Sequence, residues 1–482
     1  MRLINRTSVL FLSLGIAALF VAVIYGHSTY SAFAFGFASF VVGISFAFGA
    51  REFDIFEPRF FVGFSFSIFY GIGSVGPILA AQKGLGVPAF YLVEPFVPMA
   101  AMLAYLCFGG IILGYELAFK KPQSRLRFLF SWKERNTSAL LLTFVVVGLC
   151  AVALKFVSGI LYQSNTELAT PIVYRTIGLL QSFGLAAIVL LTIKSSMANG
   201  LTWRPLAIGF FLIFLLVSVV SGSKASIFLT VSYAAIGWNY CRGLISRAGA
   251  RRTVIVSITL LLSFVPVNNF YRAKTADFSE ISISGSLDAF GSAFSAIATE
   301  EEGVIYSQIL GYAAGRFSNT IVVAHILQAQ DNGLELAMGS TYGLILWAPI
   351  PRFIWPDKPH ISIGNFFYRN IMGGSSDGTT SVGITLIGEM VYNFGIYVAP
   401  FFAILIGILF AKIYISFRRA IYTSPLIAPA IYAICWRGLI VGTLESNFAG
   451  AINGLFVDFI LVAAIFLLLG IKPIRKRNNQ PA

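Results

Sequence analysis

Runs of about twenty apolar residues recur along this chain, each long enough to carry a helix across the hydrocarbon core of a bilayer. They lie near Ser8–Gly26, Tyr30–Gly49, Phe60–Leu79, Phe96–Phe119, Ser138–Val157 and Ile172–Ile193. Pro205–Val220, Ala225–Tyr240 and Thr253–Phe270 follow, and after a long gap Ile387–Ile413, Leu426–Leu444 and Ile452–Ile471. Twelve spans are expected from these runs. Of 482 residues 57% are hydrophobic and 11% charged, with a mean hydropathy of +0.82. Soluble chains are about one-quarter charged, and water could not accommodate this much apolar surface. The expected class is an all-α polytopic membrane protein with lipid as the solvent for its apolar faces. The first run could pass for a signal peptide. No small-x-small cleavage site follows it, however, and a second apolar run begins at once, so it reads as a retained first span.

The formal net charge is +14. No nucleic-acid-binding motif accompanies it, whereas the cytoplasmic loops of membrane proteins collect Lys and Arg. With the N-terminus inside and each run crossing once, about two-thirds of the 34 Lys and Arg fall on the inner side. Both termini are then expected in the cytoplasm. The remaining cations are Lys83, Lys155, Arg175, Lys224, Arg272, Lys274, Arg316, Arg352, Lys358, Arg369 and Arg437. All fall in external loops or the outer parts of spans. Acids share the bias: Glu389 opens the tenth span, Glu445 ends the eleventh and Asp458 lies early in the twelfth. Charge inside hydrocarbon costs several kcal/mol unless it is paired or faces a wet cavity. The set therefore argues for a polar cavity open to the outer leaflet.

The chain divides into spans 1–9 (residues 1–267), an external loop (268–381) and spans 10–12 (382–482). A loop of that length is expected to fold. "ATEEEGVIYSQILGYAAGRFSNTIVVAHILQ", residues 298–328, reads as a helix with Thr299 as N-cap and acids, Glu302 among them, in its first turn. "STYGLILWAPI" is apolar but too short to span, which suits an interfacial or re-entrant segment. "GGSSDGTTS", Gly373–Ser381, is a mobile loop by composition. No internal repeat and no matched pair of broken helices is visible, which counts against a secondary transporter.

The stretch "WAPIPRFIWPDKPHISIGNFFYR", Trp347–Arg369, gathers four prolines with Arg352, Asp357, Lys358, His360 and Arg369. Arg352 and Lys358 sit six residues apart on a proline-stiffened turn. Arg forks and Lys point charges suit a diphosphate, and Arg175, Lys224, Arg272, Arg316 and Arg437 could converge on it from other spans. The plainer alternative is that each cation snorkels or pairs with an acid such as Glu445 or Asp458. Of His27, His325 and His360, the last is the best placed to act as a base, although a lone interfacial histidine is ordinarily just solvated. Glu389 in "GEMVYNFG" needs either an arginine partner or work as a general base; Asp357 is a weaker candidate of the same kind. P-loop, HExxH, GxSxG and CxxC patterns are absent, and "TEEEG" is explained by helix capping. Cys107, Cys150, Cys241 and Cys435 fit neither a disulfide framework nor a metal site. No metal and no cofactor is expected.

"PIPRFIWPDKP" (Pro349–Pro359), a glycine-rich loop and "GEMVYNFGIYVAPFFAILIG" (Gly388–Gly407) together resemble the Wzy-type O-antigen, or oligosaccharide repeat-unit, polymerases. The "SGSK" hairpin ending at Lys224 is similar to an SGSR-like turn of that group and of the related O-antigen ligases. The resemblance implies a bacterial inner-membrane glycosyltransferase of GT-C-like architecture, with a large, partly helical periplasmic loop between spans 9 and 10. It would polymerise undecaprenyl-diphosphate-linked repeat units of an O-antigen, capsule or exopolysaccharide at the periplasmic face. Its partners would be that lipid-linked oligosaccharide, membrane lipid, and a flippase and chain-length regulator of the same pathway, with no nucleic acid. Arg352, Glu389 and His360 are implied in catalysis. Lys358, Arg175, Lys224, Arg272, Arg316 and Arg437 are implied in holding the diphosphate. One departure is Lys224, a point charge where the turn usually carries an arginine fork. Two rivals share much of the pattern. A ligase has the same span count, late loop and basic cavity; a flippase or transporter would line both leaflets with charge, whereas these cations crowd the outer half.

Overall fold

The computed structural model describes residues 6–26, 28–49, 54–84, 92–120, 125–134, 136–158, 171–197, 200–221, 224–242, 317–347, 363–374 and 382–474, with isolated positions at 288, 291–292, 295, 350 and 355. Among these residues the chain is all-helical, and one isolated bridge, Trp132 to Pro473, is its only β pairing. The helices are α1 (Arg6–Tyr25), α2 (Thr29–Phe48), α3 (Pro58–Gln82), α4 (Val97–Lys120), α5 (Thr137–Val157), α6 (Pro171–Ser196) and α7 (Arg204–Val220). Then come α8 (Lys224–Arg242), α9 (Asn319–Asp331), α10 (Ser340–Trp347) and the short α11 (Gly364–Phe366). Last are α12 (Leu386–Ala420), α13 (Ile427–Leu444) and α14 (Phe448–Leu468).

Ten of the described helices are long and apolar enough to cross a membrane: α1 to α7 and α12 to α14. They coincide with ten of the twelve runs read from the sequence. Their outward faces are apolar, with Val23, Tyr397, Phe401 and Leu468 among the most exposed side chains. A water-facing surface does not carry such a belt; lipid does. This is a multi-pass, all-α membrane architecture. The expected eighth span is the helix α8, less apolar than the ten because Thr230, Ser232, Tyr233 and Asn239 interrupt its run. The expected ninth, Thr253–Phe270, lies outside the described residues.

The chain forms two compact units interleaved in sequence. The first comprises Met1–Gln123, Tyr306–Ile415 and Trp436–Phe456. Its core is aromatic: Phe66 stacks on Phe108 at 4.1 Å, and Phe46 meets both Phe108 and Tyr115 edge-on at 5.7 Å. Glycines bring helices close. A Cβ on Gly43 of α2 would lie 2.6 Å from the Gly63 carbonyl of α3, and one on Gly110, Gly114 or Gly407 would collide with backbone of α12 or α4. Small residues at such crossings let backbones approach where lipid supplies no hydrophobic drive between helices. Pro58 occupies the first turn of α3, where its missing N–H costs nothing. A π-turn, Ser67–Ile72, interrupts that helix midway.

Helix α9 corrects the sequence reading. The expected helix does not run unbroken through 317–319, because Ser318 is non-helical and caps a new helix, accepting from the Ile321 N–H at 3.4 Å. The same hydroxyl donates to the Gly73 carbonyl at 2.6 Å. The Thr299 cap lies outside the described residues. Helix α9 is buried: Thr320, Val323, Ala324 and Ile326 are fully enclosed against α3 and α4. A second correction concerns Asp458, which stands midway along α14 and not near its start.

The second unit comprises Ser124–Ile305, Ser416–Cys435 and Val457–Ala482. Helices α5 and α6 meet at Gly148 and Gly184, and Phe417 stacks on Tyr432 at 4.0 Å. A clasp closes one end. The Trp132 N–H donates to Ser424 Oγ at 2.9 Å, Ser424 Oγ donates back to the Trp132 carbonyl at 2.7 Å, and Ile474 N–H reaches the Ser131 carbonyl at 3.0 Å. Within the clasp Glu134 Oε1 accepts from the N–H groups of Leu426 and Ile427 at 2.6 and 3.2 Å, capping α13 from outside its own strand of sequence. Glu134→Ala is expected to cost about 1 kcal/mol, and Glu134→Gln less, because the amide oxygen still accepts. Thermal unfolding of the two purified variants checks the order.

Candidate functional site

Glu389 lies in the first turn of α12 and is fully buried in the first unit. The chain enters that helix through Thr385, a β-branched residue at φ 65°, a backbone region that costs such side chains energy. Thr385 Oγ1 accepts from the Gly388 N–H at 3.2 Å, and the Tyr70 hydroxyl of the α3 π-turn donates to it at 3.3 Å. Two turns on, Gly395 leaves helical geometry at φ 69°. Carbonyls just before that break are taken from outside: Gln330 Nε2 donates to Val391 O at 3.1 Å and the Ala337 N–H to Tyr392 O at 3.0 Å. Both ends of the Glu389 segment are thus fastened to other parts of the chain.

Both carboxylate oxygens are engaged. Thr341 Oγ1 donates to Oε1 at 2.8 Å, and the Phe448 backbone N–H donates to Oε2. Phe448 is the first residue of α14, so Glu389 caps a transmembrane helix 59 residues further along the chain. A carboxylate there meets unpaired N–H groups and the positive end of the helix dipole. Asn393, one turn after Glu389, donates to Thr341 Oγ1 at 2.7 Å and to the Glu389 carbonyl at 2.8 Å. Its buried Oδ1 has no hydrogen-bond partner. Beside the carboxylate stands Tyr342, whose ring stacks on Phe394 at 5.5 Å, lies 4.9 Å from Phe402 and meets Phe448 edge-on at 5.8 Å. Burial, with the Glu389 charge added, pushes the Tyr342 phenol far above its ordinary value.

The described residues that flank the proline- and cation-rich stretch pack on Glu389 or on the chain either side of it. On one side α10, which ends at Trp347, is held by the Thr341 bond to Glu389. Midway, the Trp355 ring stands edge-on to Trp347 at 5.5 Å. Arg352 and Lys358 are each three residues from Trp355. On the other side α11 leads into a π-turn, Phe367–Ile371; its Gly364 carbonyl accepts from the Val382 N–H at 3.3 Å, and Phe366 lies 6.1 Å from Tyr392.

Of the nine residues implied in catalysis or in holding the diphosphate, Glu389 and Arg437 have described side chains. Arg437 lies half-buried in a π-turn of α13, Trp436–Val441. Arg175 and Lys224 lie in the first turns of α6 and α8, in the second unit, with side chains outside the described set. Arg272, Arg316, Arg352, Asp357, Lys358 and His360 are outside the described residues. Sequence had offered Glu389 an arginine partner or a base role; its described partners are a hydroxyl and a helix N-terminus. Thr341, Asn393 and Thr385 were not foreseen. Asn393 carried a signal, since its spacing of four from Glu389 places both on one helix face; Thr341 carried none. Among the described residues no group of His, Cys, Asp and Glu is arranged to hold a metal ion. Comparison of the chain with protein-family models, curated proteins and solved structures finds no match.

Proposed function

We propose that this chain is a membrane-embedded polymerase of oligosaccharide repeat units carried on a polyprenyl diphosphate, of the Wzy type, working at the external face of a bacterial inner membrane with both termini cytoplasmic. The observation that carries the reading is that the described residues on either side of the cation-rich stretch, Thr341 before it and Gly364 and Phe366 after it, are bonded to or packed on Glu389 and the chain around it. A cation pair serves a diphosphate only if the segment carrying it is fixed, and flanking residues held beside a capped helix terminus suit that need.

In the reaction the bond from the anomeric carbon of the growing chain to the lipid diphosphate breaks, and its electron pair leaves with the diphosphate. The new bond forms to a hydroxyl of the incoming unit, whose proton passes to a base. The energy is stored in the glycosyl diphosphate, so the protein's task is to hold positive charge where the leaving oxygens develop theirs. Arg352 and Lys358 take that role, with Arg316 and Arg437 as further cations of the same unit. His360 is the base, adjacent to the Lys358–Pro359 turn. Glu389, with both oxygens engaged, acts as the anchor of the residues that lead into the stretch.

Deleting the gene in its host separates this reading from the rival enzyme. Loss of a polymerase leaves a single repeat unit on the acceptor; loss of a ligase leaves none. The proposal expects the single-unit product, and an acceptor bare of any unit overturns it.

A further inference from the structure

A second ionisable cluster lies in the first unit, built from the turn before α3, the last turns of α4 and the latter part of α12. Asp54 and Glu57 are both buried there. Asp54 accepts two bonds, from the Phe56 N–H at 3.0 Å and from the Tyr414 hydroxyl at 2.8 Å. Glu57 stands at the N-cap position of α3 yet makes no capping bond; its Oε1 accepts from the Tyr115 hydroxyl at 2.7 Å. Arg59 forms an ion pair with Glu116, and its guanidinium lies over the rings of Phe46 and Tyr115 at 4.8 and 5.6 Å. Its Nε is buried without a hydrogen-bond partner. Lys412, half-buried two residues before Tyr414, is the cation that α12 brings to this end.

The charges do not balance at Glu57. Its neighbours are Asp54 and Arg59 from its own stretch and Tyr115 and Glu116 from α4. Among the described residues the single guanidinium near it is already engaged by Glu116. A buried carboxyl without its own cation keeps a proton in preference to a charge. We propose that this cluster is a proton-binding site, a latch in which the neutral Glu57 side chain fastens the start of α3 to α4 and α12. Burial foremost, with the Asp54 and Glu116 charges, pushes the Glu57 carboxyl from 4.5 up to about 7, against the Tyr115 hydrogen bond and the Arg59 charge. Helices α3 and α12 also carry Tyr70 and Glu389, so the latch and the candidate site share two helices. The inference stands independently of the proposed reaction.

The sign of the effect follows from linkage. Between the ordinary glutamate value and about 7, the closed latch holds a proton that the opened one has released. Each pH unit in that window therefore favours opening about tenfold, and the trend levels off above it. Hydrogen exchange of the full chain in lipid nanodiscs, corrected for the intrinsic pH dependence, reads this directly in peptides covering residues 54–66. Wild-type protection is expected to fall about tenfold per pH unit up to neutrality and then flatten. Glu57→Gln, permanently neutral, is expected to stay protected throughout. Tyr115→Phe removes a donor that favours the ionised form, so its levelling-off is expected at higher pH; this variant carries the test if Glu57→Gln folds poorly. Flat wild-type protection, the same slope in Glu57→Gln, or an unmoved levelling-off in Tyr115→Phe each overturns the proposal.

Discussion

Replacing Glu389 by alanine is expected to destabilise the protein by about 3–5 kcal/mol, as removal of one member of a buried charged contact does elsewhere. The loss has identifiable parts. The Thr341 hydroxyl loses its acceptor, and the first N–H groups of α14 lose their cap. Each buried orphan costs about 1–3 kcal/mol. Glu389→Gln is expected to fall between alanine and wild type: the amide oxygen can still accept from Phe448, and the Thr341 hydroxyl can turn to accept from the amide. Thermal unfolding in detergent or nanodiscs ranks the three. The same series separates anchor from base. An anchor predicts that activity declines in step with stability and that the pH profile keeps its shape. A general base predicts that glutamine abolishes activity at nearly unchanged stability and removes one limb of the profile.

Gly114→Leu is expected to be nearly as damaging, by about 3 kcal/mol, the upper end for overpacking a well-packed contact. A Cβ on Gly114 would already collide with the Ile404 carbonyl of α12, and on the facing helix Gly407 meets the Ile111 carbonyl of α4 in the same way. These atoms are backbone, so no side-chain rotation relieves the clash. Because Gly114 and Gly407 share one crossing, the double substitution is expected to cost less than the two singles added together. Gly454 of α14, with nothing within 4 Å of its would-be Cβ, is the control, and Gly454→Leu is expected to lose no stability. Equal losses at Gly114 and Gly454 would show that the α4–α12 crossing is not the tight one.

The spans were legible because lipid selects on hydropathy alone, a property summed along twenty neighbouring residues. Runs such as Phe96–Phe119 and Ser138–Val157 accordingly agree with α4 and α5 within a residue or so at each end. The break at Ser318 was not legible. Local propensity continues through it, and what halts the helix is a hydroxyl bonded to Gly73, some 245 residues away in sequence. Glu389 announced itself as a carboxylate in need of a partner, yet its partner is a backbone N–H at the start of α14, a feature that no residue type marks. The π-turns in α3 and α13 were equally hidden, since Ser67–Ile72 and Trp436–Val441 read as ordinary apolar sequence. What sequence did supply was the grouping of Arg352, Lys358 and His360. What structure adds is the buried Glu389 centre, with Thr341, Asn393 and the start of α14 gathered on it.

The most direct test of the proposed function is chain growth in proteoliposomes that contain only the purified protein and polyprenyl-diphosphate-linked repeat units, with a metal chelator present. A ladder of lengthening products is predicted for wild type, and none for Arg352→Ala, which is expected to unfold at the wild-type temperature. A normal ladder from Arg352→Ala, or transport of the lipid-linked unit without any lengthening, would contradict it.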